Sequence, residues 1–130
     1  MKILSIETSC DETAAAIVES LDSTHVTLLS QTIASSMDIH ALTGGIIPEV
    51  AARNQIQYII PVIYETLEKA GLTFDARSAP DIDAIAVTYG PGLIGSLLVG
   101  VETAKTLSYI WNKPLIPVNH LFGHIYANFY

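Results

Sequence analysis

Nine residues near the start of the chain, Ser5-Ile6-Glu7-Thr8-Ser9-Cys10-Asp11-Glu12-Thr13, crowd three carboxylates and several hydroxyls between two apolar runs. A hairpin turn needs Gly, Asn or Asp at one or two positions, and nothing in that requirement calls for Glu7, Asp11 and Glu12 together. Clustered acids are tolerated most easily where a cation, a phosphate-bound metal or ordered water balances them; the plainer alternative is a solvated acidic loop. Far along the chain His120 and His124 stand four residues apart at the start of a helical segment. That spacing puts both imidazoles on one face, where they could share a metal ion; the alternative is a capping histidine beside a surface one. A zinc-protease site fails on chemistry, because its general base follows the first histidine and Leu121 sits there. Two ligands leave a metal site incomplete, so at least one more must come from the acidic hairpin or from outside these 130 residues.

Gly90-Pro91-Gly92-Leu93-Ile94-Gly95 matches G-x-G-x-x-G between a strand and a helix. A dinucleotide site is disfavoured. Three strands precede the motif, Pro91 removes a backbone donor, and the next strand ends in Asn119-His120 with no acid for a ribose. Two readings remain: a tight turn that lets the helix pack closely on the sheet, or a turn lining a cleft that faces phosphate or substrate. Cys10 has no histidine near it in sequence, which argues against a catalytic thiol. His25 and His40 are isolated and read as surface residues, and Gly44-Gly45-Ile46-Ile47-Pro48-Glu49 is explained by helix-start chemistry.

The elements that must position these groups are legible from composition and periodicity. The chain has 130 residues, half of them hydrophobic, which suits one domain with an ample core. Its charge is −7, and the six basic residues are scattered, so no stripe for a nucleic-acid backbone exists. A single cysteine excludes an internal disulfide and favours a reducing compartment. Glu7 interrupts the first apolar stretch too early for a signal peptide. Residues 84–101 are uncharged, but Gly90-Pro91-Gly92 breaks them, so a strand, turn and helix are expected rather than a membrane span. A cytoplasmic setting follows.

Strands are expected at 2–7, 13–19 and 25–33, followed by a polar loop over 35–45. Pro48 opens a helix running to about residue 70, with Gly71 as its stop. Its apolar face is read as Val50, Ile56, Ile60, Ile63 and Leu67, widened by Tyr58, Ile59 and Val62. A linker over 75–81, a buried strand at 82–88, a small-residue helix at 93–111 and a short strand at 114–118 come next. Asn119 caps a last helix to about residue 130. The order βββ-α-β-α-β-α predicts an α/β fold with a mixed sheet and helices on both faces. It resembles the ribonuclease-H-like lobe that actin-like ATPases and sugar kinases use in facing pairs.

Taken together, the acidic stretch, Gly44-Gly45-Ile46-Ile47-Pro48-Glu49-Val50-Ala51, Thr88-Tyr89-Gly90-Pro91-Gly92-Leu93-Ile94-Gly95 and the His120/His124 pair resemble the TsaD/Kae/Qri family, once called glycoproteases. The match runs in order over all 130 residues. The resemblance implies an actin-like fold of two lobes, with residues 1–130 as the N-terminal lobe and the second lobe absent from this chain. It implies transfer of a threonylcarbamoyl group from threonylcarbamoyl-AMP to the amino group of the adenosine beside the anticodon, in tRNAs reading codons that begin with A. His120 and His124 would be ligands to one metal ion per subunit, usually Fe(2+) with Zn as the alternative, completed by an aspartate of the second lobe. Asp11 and Glu12 would be the catalytic carboxylates facing the cleft. The implied partners are tRNA, a TsaB-like paralogue pairing through the first-lobe helices, and a TsaE-like ATPase in the same pathway, with no membrane. On this reading the chain alone neither transfers the group nor holds metal tightly.

The resemblance departs at Phe122, where many bacterial members carry Glu, and at Gln55, where a histidine is common. Other readings are a non-catalytic, TsaB-like interaction module, which would lack the histidine pair, and an actin-like small-metabolite kinase, which would open with D-x-G-[ST] where this chain has Glu7-Thr8-Ser9.

Overall fold

The computed structural model describes residues 1–22, 25–35, 44–72 and 78–129. It begins with an antiparallel meander of β1 (Lys2–Glu7), β2 (Glu12–Ser20) and β3 (Val26–Ser35). Helix α1 (Pro48–Lys69) leads to β4 (Ala84–Gly90), α2 (Ile94–Trp111) and β5 (Leu115–Asn119). A short α3 (His120–Tyr126) and a 3₁₀ turn over Ala127–Phe129 follow. The five strands form one sheet in the order β3-β2-β1-β4-β5. Strands β1, β4 and β5 are mutually parallel, with Ile6 opposite Val87 and Thr88 opposite Val118. Their carboxyl ends therefore lie side by side, bringing Glu7, Thr88 and Asn119 to one edge of the molecule. The mixed sheet and the element order are those expected from the sequence.

Alternation along the strands decides which side chains are covered. Leu4 and Ile6 of β1, Ala15 and Ile17 of β2, and Ile85 and Val87 of β4 are buried in one cluster with Ile59, Val62, Ile63 and Leu67 of α1 and Ala104 and Trp111 of α2. The alternate residues Ser5, Glu7, Ala14, Ala16, Ala86 and Thr88 floor a cleft walled by Gly123 and Tyr126 of the α3 segment. Two long helices thus cover one face of the sheet, and the short α3 sits over an end of the other.

The face that α1 buries differs from the one its apolar residues predict. Ile56 and Ile60 are 64% and 53% exposed, whereas the polar Gln55 and Thr66 are buried along with Ala51, Ile59, Val62, Ile63 and Leu67. Backbone hydrogen-bond demand sets this face. Thr66 Oγ1 donates to Val62 O at 2.7 Å, Ser30 Oγ donates to Thr66 O at 2.7 Å, and Gln55 serves the β1–β2 turn. Ile56, Ile60 and Tyr64 of α1, with Ile94 and Leu98 of α2, form an exposed apolar surface instead.

Helix ends follow their expected chemistry with one correction. Asn119 accepts a hydrogen bond from Leu121 N at 3.0 Å, as a cap should. Gly71 takes the left-handed conformation, at φ +70°, just beyond α1. At the start of α1 Pro48 stands in the first turn, as expected, and the cap residue Ile47 makes no side-chain bond. The last helix stops at Tyr126 and tightens into the 3₁₀ turn rather than continuing to about residue 130. His25 is exposed and pairs with Asp22 at 3.1 Å. His40, most of the loop around it and part of the 75–81 linker lie outside the described residues. Among the described residues no helix is long and apolar enough to cross a membrane.

Helix α2 approaches the β1–β2 turn closely at Gly100, where a Cβ would run into the Thr8 Oγ1 and Cγ2 atoms. Thr8 cannot yield easily, because it is fully buried and its Oγ1 donates to Ser96 O at 2.8 Å. Gly100→Ala should therefore destabilise the fold by about 1–3 kcal/mol in urea titration. Adding Thr8→Ala should make the double variant less unstable than the sum of the singles, by more than about 0.5 kcal/mol.

Candidate functional site

The turn that links β1 to β2 is buried at Thr8 and Ser9, so its backbone carbonyls need donors other than water. They find them on both long helices. Gln55 Nε2 of α1 donates to Glu12 O at 2.9 Å, to Cys10 O at 3.1 Å and, weakly, to Thr8 O at 3.5 Å. Ser96 Oγ of α2 donates to Cys10 O at 2.9 Å, and Leu93 N donates to Ser9 O at 2.8 Å. A Cβ on Gly92 would lie 2.5 Å from that same Ser9 carbonyl, and one on Gly95 would lie 3.2 Å from Ala52 Cβ. Gly92 and Gly95 of the G-x-G-x-x-G stretch are thus spent on close approach to the turn and to α1, while a Cβ on Gly90 would meet nothing within 4 Å and that residue adopts φ +157°. The tight-turn reading of the motif accounts for what they do, and no dinucleotide is needed.

The carboxylates of the opening motif take different environments. Glu7 ends β1, while Asp11 is half-buried in the turn and Glu12 is exposed at the start of β2. Glu7 gathers polar contacts from three elements. Ser9 N reaches its Oε1 at 2.5 Å, Thr88 Oγ1 of β4 reaches its Oε2 at 2.5 Å, and His120 Nδ1 of α3 lies 3.3 Å from the same oxygen. Burial alone would push the Glu7 carboxyl up; the donors from Ser9, Thr88 and His120 outweigh it and hold the group below its ordinary value. Glu7 is ionised at neutral pH, with hydrogen bonds from Ser9 and Thr88 supporting its charge.

His120 Nδ1 also lies 3.1 Å from Ser9 Oγ, so one side of the imidazole is engaged by the β1 end of the site. The other side faces His124, with the two Nε2 atoms 2.9 Å apart and the rings nearly perpendicular at 88°. Two imidazole nitrogens bound to one ion at about 2.0–2.1 Å would be about 2.8–3.0 Å apart at a right angle and about 3.3–3.4 Å apart at the tetrahedral angle. The observed separation matches the right-angled case and is equally that of a direct hydrogen bond between the two nitrogens; the two imidazoles share one face, and iron, zinc and nickel all accept imidazole. Among the described residues no group of three or more His, Cys, Asp or Glu could hold a metal. The acidic hairpin does not complete the site: Glu7 lies behind His120, on its Nδ1 side, and Asp11 and Glu12 do not join the pair in such a group.

Against this geometry the chain can be set beside known proteins. The family model described as TsaD, tRNA N6-adenosine threonylcarbamoyltransferase, matches residues 27–130. The chain belongs to the TsaD family. It is 57% identical over 129 residues to a tRNA N6-adenosine threonylcarbamoyltransferase of Clostridium novyi, covering 99% of this chain and 35% of that protein. With the protein of the same name from Thermomicrobium roseum the identity is 58% over 128 residues, covering 98% and 33%. The chain thus spans about a third of the length of the curated relatives it matches. Among solved structures it resembles YeaZ from Pseudomonas aeruginosa, with a TM-score of 0.60, 19% identity and coverage of 92% and 45%. It also resembles Thermus thermophilus RuvC in complex with a Holliday junction substrate, with a TM-score of 0.56, 13% identity and coverage of 92% and 64%. At those identities the likeness speaks to fold alone, and the fold is the ribonuclease-H-like one expected from the element order.

Within this TsaD-family chain, the structure brings His120 and His124 together as their spacing predicts. It adds three residues that spacing did not single out: Glu7 as an individual partner of His120, Ser9 and Thr88. The signal available was the parallel pairing of β1, β4 and β5, since strand ends that share an edge share their flanking polar residues. The two departures from the family pattern also resolve differently. Gln55 is the buried clip that holds the turn, while Phe122 is 60% exposed. Cys10 is held as a thiol, because burial pushes its ionisation up and the hydrogen bond and charge of neighbouring Asp11 push it further.

Two outcomes follow. Gln55→Leu keeps the volume but strips donors from the Cys10 and Glu12 carbonyls, and should destabilise the chain by about 1–3 kcal/mol in thermal or urea unfolding. Cys10 should react with iodoacetamide at pH 7.5 more slowly than a cysteine in an unstructured peptide; an equal or faster rate would contradict the raised thiol.

Proposed function

We propose that this chain forms the N-terminal lobe of a tRNA N6-adenosine threonylcarbamoyltransferase. The substrates would be threonylcarbamoyl-AMP and the adenosine beside the anticodon of tRNAs that read codons beginning with A. The observation that carries the reading is the paired imidazoles at the carboxyl ends of the parallel strands, their Nε2 atoms 2.9 Å apart, in a chain of this family. His120 and His124 would hold one ion, iron with zinc as the alternative, and a second lobe would add the missing ligand. Such an ion supplies Lewis acidity toward acyl or phosphate oxygens.

The chain's own residues take the remaining roles. Asp11 and Glu12 sit on a turn clamped by α1 and α2, and one of them orients the adenine amino group and accepts its proton, directly or through water. The net charge of −7 and scattered bases give this lobe little attraction for a tRNA backbone. Most of that attraction must come from the second lobe or from partners. The exposed apolar surface of α1 and α2 suits pairing with a TsaB-like paralogue, and a TsaE-like ATPase would act in the same cytoplasmic pathway. A non-catalytic interaction module is the weaker reading, because it gives no use for the histidine pair. The isolated chain is expected to be inactive, with half a cleft and two ligands.

The test replaces the matching third of the Clostridium novyi relative with this chain. With threonylcarbamoyl-AMP and a suitable tRNA, the chimera should form threonylcarbamoyladenosine, detected by mass spectrometry of digested tRNA. His120→Ala and His124→Ala should each bring transfer to background. A folded chimera without activity, beside an active parent, would overturn the proposal.

A further inference from the structure

We infer that Glu7 is a positioning residue that makes the histidine pair unequal, fixing the proton of His120 on Nδ1 so that its Nε2 lone pair is permanently turned toward His124 and any shared ion. The inference rests on the metal-site reading above and deepens it. Four distances carry it. Glu7 Oε2 is 3.3 Å from His120 Nδ1, Thr88 Oγ1 is 2.5 Å from the same oxygen, Ser9 N is 2.5 Å from Oε1, and Ser9 Oγ is 3.1 Å from Nδ1. A carboxylate only accepts hydrogen bonds, whereas a serine hydroxyl can donate or accept. Ser9 therefore does not choose the tautomer, and Glu7 does: a bare Nδ1 beside Oε2 would set two lone pairs against each other. The Thr88 and Ser9 donors anchor both carboxylate oxygens, so Glu7 cannot swing away.

The consequence falls on the opposite nitrogen. With its proton on Nδ1, neutral His120 has a free Nε2, and the 2.9 Å contact with His124 Nε2 then requires His124 to donate. Before any ion arrives, His120 is already in its ligating form, whereas His124 carries its proton on the nitrogen that must ligate. His124 has no matching carboxylate on its other nitrogen among the described residues. Toward such an ion His120 would be a preset ligand, and His124 one that must move its proton first. Carboxylates behind ligating histidines act in this way in general, and losing one weakens metal affinity by about 10–100-fold.

The test reads the tautomers directly. The 130-residue chain, labelled with ¹⁵N-histidine and kept free of metal at about pH 8, where free imidazole is neutral, is examined by long-range ¹H–¹⁵N correlation. The expected result is His120 protonated on Nδ1 and His124 on Nε2. In Glu7→Ala, His120 should shift toward the Nε2-protonated form, and Zn²⁺ affinity by titration should fall about 10–100-fold. Ser9→Ala should leave the His120 tautomer as it is. Glu7→Gln, which keeps the shape and an accepting oxygen, should recover much of the Nδ1-protonated form. An Nε2 proton on His120 in the wild-type chain would overturn the inference without recourse to any variant. So would an unchanged tautomer and Zn²⁺ affinity in folded Glu7→Ala. Neither readout depends on transfer activity, so failure here and failure of the transferase chimera are separate results.

Discussion

The polar turn between β1 and β2 is the constraint on which the rest of the structure depends. Thr8 and Ser9 are buried, and a buried carbonyl left without a donor costs about 1–3 kcal/mol. Gln55, Ser96 and Leu93 serve the turn's carbonyls, and these residues belong to α1 and to the start of α2. Satisfying one turn therefore fixes two long helices relative to the sheet. It also explains why glycine stands at positions 92 and 100, where side chains would prevent the approach. The same turn carries Asp11 and Glu12 and lies next to Glu7, so the scaffold demand and the candidate chemistry share one short stretch of chain.

Much of this architecture was legible in the sequence, because strand alternation, Pro48, Gly71 and Asn119 are local signals read locally. The buried face of α1 was not. Periodicity counts apolar residues and so favoured Ile56 and Ile60, while the fold buried Gln55 and Thr66 because distant backbone carbonyls needed them. The candidate site divides along the same line. The His120/His124 pair was visible because a four-residue spacing is a local fact on a helix. The role of Glu7 was hidden, since it depends on β1 lying parallel to β4, which brings together residues 81 apart, and on α3 following β5, which brings together residues 113 apart. In the sequence Glu7 was one of a group of clustered acids; the fold gives it a separate role.

The glycine stretch after β4 shows the same physics from the other side. G-x-G-x-x-G serves close approach of backbone to something, and the something need not be a pyrophosphate. Here it is the Ser9 carbonyl and α1, through Gly92 and Gly95. A pattern defined by what glycine permits reports the approach and leaves the visitor unnamed, which is why strand order and the missing acid after β5 discriminated better than the motif itself.

Helix α3 has no buried residue, and a segment of seven residues is too short to be stable by its own hydrogen bonds. Its place is set by its covalent link to β5, the Asn119 cap, limited packing over the sheet, and the contacts of His120 with Ser9 and Glu7. A hydrogen bond to a charged group is worth about 1.5–3 kcal/mol net, a large share of what can hold so exposed an element. The histidine proposed to present Nε2 to a metal is thus also the residue that ties its own helix to the strand ends. Positioning the ligand and docking the helix become a single interaction. A distortion at the β1–β2 turn would then reach the histidine pair through Glu7 and Ser9 without passing through the apolar core.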